Sequence, residues 1–262
     1  MASSLAIAII LRISEKKSSE RTVVIAANYI VAATIGYLLT GNNHAPIGVY
    51  ALGAVLGLFF FLAFVLYSKA IKNEGLAGAV TMSRISLAIP VVLSITMWGE
   101  QPTAPHLFGL ALIIFIILSW EGKIGKTSPL LLAVFAIFGL LDSAMKFFKT
   151  TFPSVDVGFF LVILFFSAII WSWTYILITG KTIRPRDIAT GLALGVPNFF
   201  SFYFILEALI NIPAYIAFPF KNVSIIMLSA FIGFWLFNER LSFKRTVLIV
   251  MGILAVFFLT AL

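Results

Sequence analysis

The sequence contains no cysteine, only two histidines, and charged residues at just 11% of its 262 positions. Without cysteine there is no disulfide framework and no thiolate metal site. His44 and His106 both read as loop residues, and neither an HExxH nor a paired-aspartate motif nor a Gly-x-Ser-x-Gly elbow occurs. The converging groups of an enzyme, a metal centre or a cofactor site are therefore missing, and no cofactor is expected. The scarcity of charge is the most restrictive absence. With 61% hydrophobic residues and a mean hydropathy of +1.11, a soluble domain of this length could not enclose its apolar surface. On a soluble protein the net charge of +8 would suggest nucleic acid; here its placement along the chain is more informative than its sum, and nucleic acid is not an expected partner.

What is present is a succession of uncharged stretches separated by polar breaks. They predict ten spans, roughly 2 to 11, 22 to 40, 48 to 68, 76 to 98, 104 to 120, 128 to 148, 157 to 179, 187 to 206, 214 to 237 and 246 to 262. The runs are continuous rather than alternating, so helices are expected and a barrel is not. The first span is about half the usual length. A cleaved signal peptide does not fit it, because no basic residue precedes the apolar run while Arg12, Lys16 and Lys17 follow it.

An internal repeat organises these spans. Ala51 to Gly75 lies ungapped over Ala189 to Pro213 with eight identities, including Gly53/Gly191, Gly57/Gly195 and Asn73/Asn211. One residue further out, Glu100 overlays Glu239 and Thr40-Gly41 overlays Thr179-Gly180, so the period is 138 to 139 residues. Two five-helix repeats are expected, 1–127 and 128–262, and the period predicts that the chain as given starts partway through its first helix. Because five is odd, the second copy enters the membrane from the opposite side, which gives an inverted-topology pair of the kind common in secondary transporters. Fourteen of the eighteen lysines and arginines fall in the loops after spans 1, 3, 5, 7 and 9, whereas the loops after spans 2, 4 and 8 hold none. The positive-inside rule then places the basic loops in the cytoplasm and both termini outside.

Gly53-x-x-x-Gly57 and Gly191-x-x-x-Gly195 put a small-residue pair on one face of spans 3 and 8, which predicts close helix packing. Glu100 ahead of span 5 and Glu239 ahead of span 10 suit the unpaired N–H groups at those helix starts, and Thr103 or Ser242 can cap there.

The segments Gly99-Glu100 followed by Gly109, and Asn238-Glu239-Arg240-Leu241 followed by Gly252, each close a five-helix repeat. In these features the chain resembles the EamA-like ten-helix members of the drug/metabolite transporter superfamily. The resemblance implies a carrier that alternates access around a cavity between its two repeats and moves small metabolites. It also implies termini in the cytoplasm, the reverse of what the basic loops predict.

Ionisable residues within a membrane are costly, by about 2.5–3.5 kcal/mol at a helix centre, and so mark candidate sites. Arg84 in span 4 and Lys221 in span 9 lie on repeat-equivalent helices of opposite direction. With Ser83, Ser86, Asn222 and Ser224 they would suit a carboxylate or phosphate. Neutralisation of Arg84 by Asp142, or snorkelling of Lys221, is the structural alternative. Asp142 and Lys146 stand four apart on span 6 and predict a local ion pair. Asp142 is also the candidate for proton coupling; its counterpart in the first copy is Ser3. Glu207 reads as an interfacial residue near the outer end of span 8. Pro90, Pro197 with Asn198, and Pro219 are expected to interrupt their helices and free carbonyls that a ligand could use, although such kinks also serve packing alone. Asn28, Tyr29, Trp171, Trp173 and Tyr203 would suit a cavity wall, and the aromatics among them would equally suit a lipid-facing or core position.

The expectation is thus an all-α integral membrane protein of ten transmembrane helices, the first truncated, arranged as two inverted five-helix repeats. It would act as a secondary transporter in the cytoplasmic membrane, not an enzyme, with a small-molecule substrate and the lipid bilayer as partners and a homodimer left open. A non-transporting receptor or scaffold, or a membrane-embedded enzyme, is the rival reading.

Overall fold

The structure, a computed structural model, describes residues 20–41, 44–120, 128–237 and 242–260, without the side chains of 229 and 232–237. The expected first span at 2–11 and the segment Asn238-Glu239-Arg240-Leu241 lie outside the described residues.

Every regular element among the described residues is a helix: α1 Arg21–Leu39, α2 Ile47–Glu74, α3 Leu76–Ile85, α4 Ala88–Thr96, α5 Ala104–Trp120, α6 Pro129–Thr151, α7 Val157–Thr179, α8 Pro185–Asn211, α9 Ala214–Phe237 and α10 Phe243–Thr260. Seven stretches are long and apolar enough to cross a bilayer, with α3 and α4 counting as the single segment Leu76–Thr96. The chain is therefore a multi-pass α-helical membrane protein. Two shorter apolar helices, Ala104–Trp120 and Ala214–Leu228, accompany the seven.

Helix ends follow local chemistry. The Asp156 side chain accepts the Phe159 N–H at 2.8 Å and opens α7, while Gly180, at φ +61, closes it by donating its N–H to the Ile176 carbonyl. Pro185 occupies the first turn of α8, where its missing N–H costs nothing. His106 is not in a loop. It lies in the first turn of α5, buried, and its Nδ1 accepts the Thr103 backbone N–H at 3.0 Å, so the helix start itself holds the ring.

The expected proline interruptions are corrected. α8 runs unbroken through Pro197 and α9 through Pro219. Only the span holding Pro90 is divided, and the division falls at Ser86 and Leu87, one turn earlier. A proline lacks the N–H for the carbonyl four residues back and its ring crowds that carbonyl, here that of Ser86. The Ser86 carbonyl instead accepts the Ile89 N–H at 3.0 Å, which tightens the turn without exposing it.

The described chain divides into two compact units, one comprising the described residues up to Val65 with Phe147–Ile210, the other Leu66–Lys146 with the described residues from Asn211 onward. Each takes helices from both halves of the sequence. In the first unit α1 packs along α7. Gly53 and Gly57 of α2 lie directly against Ile163, Leu164 and Ser167 of α7, and the Ser167 hydroxyl donates to the Ala54 carbonyl at 2.6 Å. Gly191 and Gly195 of α8 lie against Val24, Ala27, Asn28 and Val31 of α1. Both glycine pairs are thus helix contacts, as their spacing predicts. Aromatic rings fill the interior, with Tyr29 stacked on Phe165 and Phe60 edge-on to both Phe165 and Phe202.

In the second unit α5 packs along α10, where Gly109 meets the Ala255 carbonyl and Leu259. Ala70, Ala79, Met82, Leu131 and Val134 form a buried cluster that joins the end of α2 and α3 to α6.

Candidate functional site

The second unit brings together the charged residues of its apolar helices. α6 carries Asp142 and Lys146 one turn apart, and α9 carries Lys221 two turns from its start at Ala214. The Lys221 Nζ donates to Asp142 Oδ1 at 3.0 Å, with both side chains mostly enclosed. The same ammonium lies over the Phe218 ring, 5.2 Å from its centroid, so the cation is held by a carboxylate and by an aromatic face one turn earlier on its own helix.

On α3, the Arg84 guanidinium reaches the Asn222 carbonyl of α9 at 3.5 Å, and the Asn222 side chain donates to the Phe218 carbonyl at 3.0 Å. Arg84, Asn222, Lys221 and Asp142 therefore belong to one junction of α3, α6 and α9. The hydroxyls beside them are turned to their own helix: Ser83 donates to Val80 at 2.9 Å and Ser86 to Ser83 at 2.7 Å. Ser224 is buried on α9.

The ion pairs differ from those expected within α6. Asp142 pairs across to α9, and Lys146 Nζ lies 2.7 Å from Glu100 Oε1. Long charged side chains on a packed helix can extend to carboxylates of neighbouring segments.

Glu100 also departs from expectation. Its carboxylate accepts the Ala214 N–H at 2.8 Å and the Tyr215 N–H at 3.3 Å, so it caps α9 and not the α5 start that follows it in sequence. Gly99, at φ +66, turns the chain back at this point, and the Glu100 N–H donates to the Ser94 carbonyl at 3.0 Å. Burial pushes the Glu100 carboxyl up, but the Lys146 hydrogen bond, the Ala214 N–H and the Lys146 charge outweigh it and hold the group below its ordinary range. Ser242 does lie at the start of α10, where its Oγ accepts the Arg245 N–H at 3.4 Å; Glu239 is outside the described residues.

The remaining expected residues belong to the first unit. Asn28 is buried where α1 meets Gly191 and Gly195 of α8, and its Oδ1 has no hydrogen-bond partner. Tyr29 is buried beside it, Tyr203 stacks on Phe199, and Asn198 is half-buried on α8. Trp171 is exposed on α7, while Trp173 packs with Val23, Ala26 and Ile176. Glu207 is half-buried.

Sequence reasoning missed two polar groups. Asp187, in the first turn of α8, is fully enclosed and accepts the Glu20 N–H at 3.4 Å. An acidic residue two positions after a helix-starting proline was the available signal. Thr81 of α3 is likewise fully enclosed, and nothing in its apolar neighbourhood distinguishes it in sequence. Among the described residues no group of three or more His, Asp or Glu is arranged to hold a metal ion.

No protein-family model matches the chain. A protein of Haemophilus influenzae, described as uncharacterized, is 24% identical over 286 residues, covering 97% of this chain and 93% of that protein. A solved crystal structure, described only as that of a protein, superposes with a TM-score of 0.80 at 15% identity, covering 99% of this chain and 93% of that one. The likeness extends to the fold of the whole chain.

Proposed function

We propose that this protein is a secondary transporter of the cytoplasmic membrane that moves a small metabolite bearing a carboxylate or phosphate, with Asp142 as its proton-coupling group. The observation that carries this reading is the junction of Arg84, Asn222, Lys221 and Asp142, drawn from the bilayer-length segments Leu76–Thr96 and Pro129–Thr151 and the shorter apolar helix that begins at Ala214. Two cations and one acid on apolar helices are costly to place in a membrane, which makes them candidates for a functional site. Arg84 comes from the first half of the sequence, Lys221 and Asp142 from the second, so a ligand bound among them would contact both proposed repeats.

The glycine contacts support an inverted ten-helix repeat resembling EamA-like carriers. The pair on α2 seats on α7 and the equivalent pair on α8 seats on α1, an exchange of partners that a shift of 138 residues reproduces. In the alternating-access scheme, an anion that engages Lys221 competes with Asp142, and the displaced carboxylate is neutralised by a proton, so anion and proton cross together.

The test is transport by the purified protein in liposomes carrying a pH gradient, against a panel of small carboxylates and phosphate esters. Solute uptake that dissipates the gradient is expected, with uptake uncoupled from protons in Asp142→Asn. If no solute in the panel moves and no exchange occurs, the transporter reading is lost.

A further inference from the structure

Hydroxyls on membrane helices ordinarily satisfy themselves by donating to a carbonyl one turn back. Thr34 donates to Ile30 at 2.9 Å, Thr96 to Val92 at 2.8 Å and Thr179 to Tyr175 at 2.6 Å. Thr81 has the same opportunity at the Ala77 carbonyl and does not take it. Its side chain is fully enclosed and its Oγ1 has no hydrogen-bond partner. Among the described residues it is the one enclosed hydroxyl in that condition. An enclosed hydroxyl without a partner is a standing cost that the backbone bond would remove.

Its position gives the cost a use. Thr81 precedes Arg84 by three residues, so both lie on one face of α3. On the adjoining face, Gly78, Met82 and Ile85 pack towards Leu131 and Val134 of α6. Arg84 is directed to α9, at Asn222. By helical spacing Thr81 therefore lies on the side of α3 between the direction of α6 and that of α9, the helices that supply Asp142 and Lys221.

Resting on the transporter reading above, we propose that Thr81 is a substrate-binding residue, its hydroxyl donating to one oxygen of an oxyanionic substrate while Arg84 engages another. A hydroxyl donor beside a guanidinium is suited to a carboxylate or phosphate, since each has at least two acceptor oxygens and the charged acceptor strengthens the hydroxyl bond. A substrate with no acceptor atom at that position would leave the threonine as it stands. The site would thus select for acceptor oxygens by a second group besides charge.

The experiment is thermal unfolding of the full-length protein in detergent, titrated with inorganic phosphate and with acetate, for wild type, Thr81→Val, Thr81→Ser, Thr81→Ala and Arg84→Ala. Thr81→Val keeps the shape and removes the donor. It is expected to fold with an unfolding temperature at or above that of wild type, yet to require about tenfold more anion for the same shift, as loss of one hydrogen bond to a charged group implies. Thr81→Ser is expected to bind as wild type, and Thr81→Ala gives the same reading as Thr81→Val should the valine not fold. Equal anion response in wild type, Thr81→Val and Thr81→Ala, with loss of response only in Arg84→Ala, overturns the role of Thr81 and leaves the transporter reading standing. Absence of any anion response in wild type overturns both.

Discussion

Glu100 connects three parts of the second unit through a single carboxylate: the turn after α4, Lys146 on α6 and the first N–H groups of α9. A carboxylate at a partly buried helix start contributes up to about 2 kcal/mol, and glutamine keeps the shape while removing the charge. Glu100→Gln is therefore expected to lower the unfolding temperature in detergent at neutral pH. Because the folded protein holds this carboxyl below its ordinary range, its stabilisation is complete above the unfolded carboxylate value and is lost as pH falls through the folded one. Unfolding temperatures of wild type and Glu100→Gln should thus converge on acidification, and a difference that persists at low pH would assign the effect to packing alone. None of this is visible in sequence order, where Glu100 precedes α5 and lies more than a hundred residues before the helix it caps.

The helices themselves were largely legible. Val157–Thr179 and Ala104–Trp120 begin and end where uncharged runs and cap residues place them, because capping acts between residues a few positions apart. The Asn28 and Thr81 environments, and the exchange of ion-pair partners between α6 and its neighbours, depend on which helices lie side by side, and that is not written in local spacing. The glycine pairs are an intermediate case, since their spacing announces a contact without naming the partner. A methyl group at Gly57 would overlap the Leu164 carbonyl and one at Gly191 the Val24 carbonyl, whereas one at Gly78 would meet Leu131 at an ordinary 3.6 Å. Gly57→Ala and Gly191→Ala should each destabilise by about 1–3 kcal/mol, measured as lost folded protein on size-exclusion chromatography after heating. Gly78→Ala should be neutral or slightly stabilising, because alanine favours the helix.

The chain as a whole offers a native background for mapping its orientation, since it contains no cysteine. If the basic loops are cytoplasmic, Lys72→Cys and Lys244→Cys should react with a membrane-impermeant maleimide only after the cytoplasmic face is opened. His44→Cys should react in intact cells. The opposite pattern would reverse the orientation and agree with the arrangement usual in EamA-like carriers. The ion pairs of α6 also have a consequence for how such a chain is made. α6 emerges from the ribosome some seventy residues before Lys221. A helix that enters the bilayer at that stage carries Asp142 four residues ahead of Lys146, the favourable order for a pair on one helix, so each charge shields the other during insertion. In the folded chain Asp142 pairs instead with Lys221 of α9, and Lys146 pairs with Glu100 at the α9 start. The spacing that suits a local pair on an isolated α6 is thus met in the folded protein by two partners outside that helix, which tie α6 to α9 and to the turn after α4.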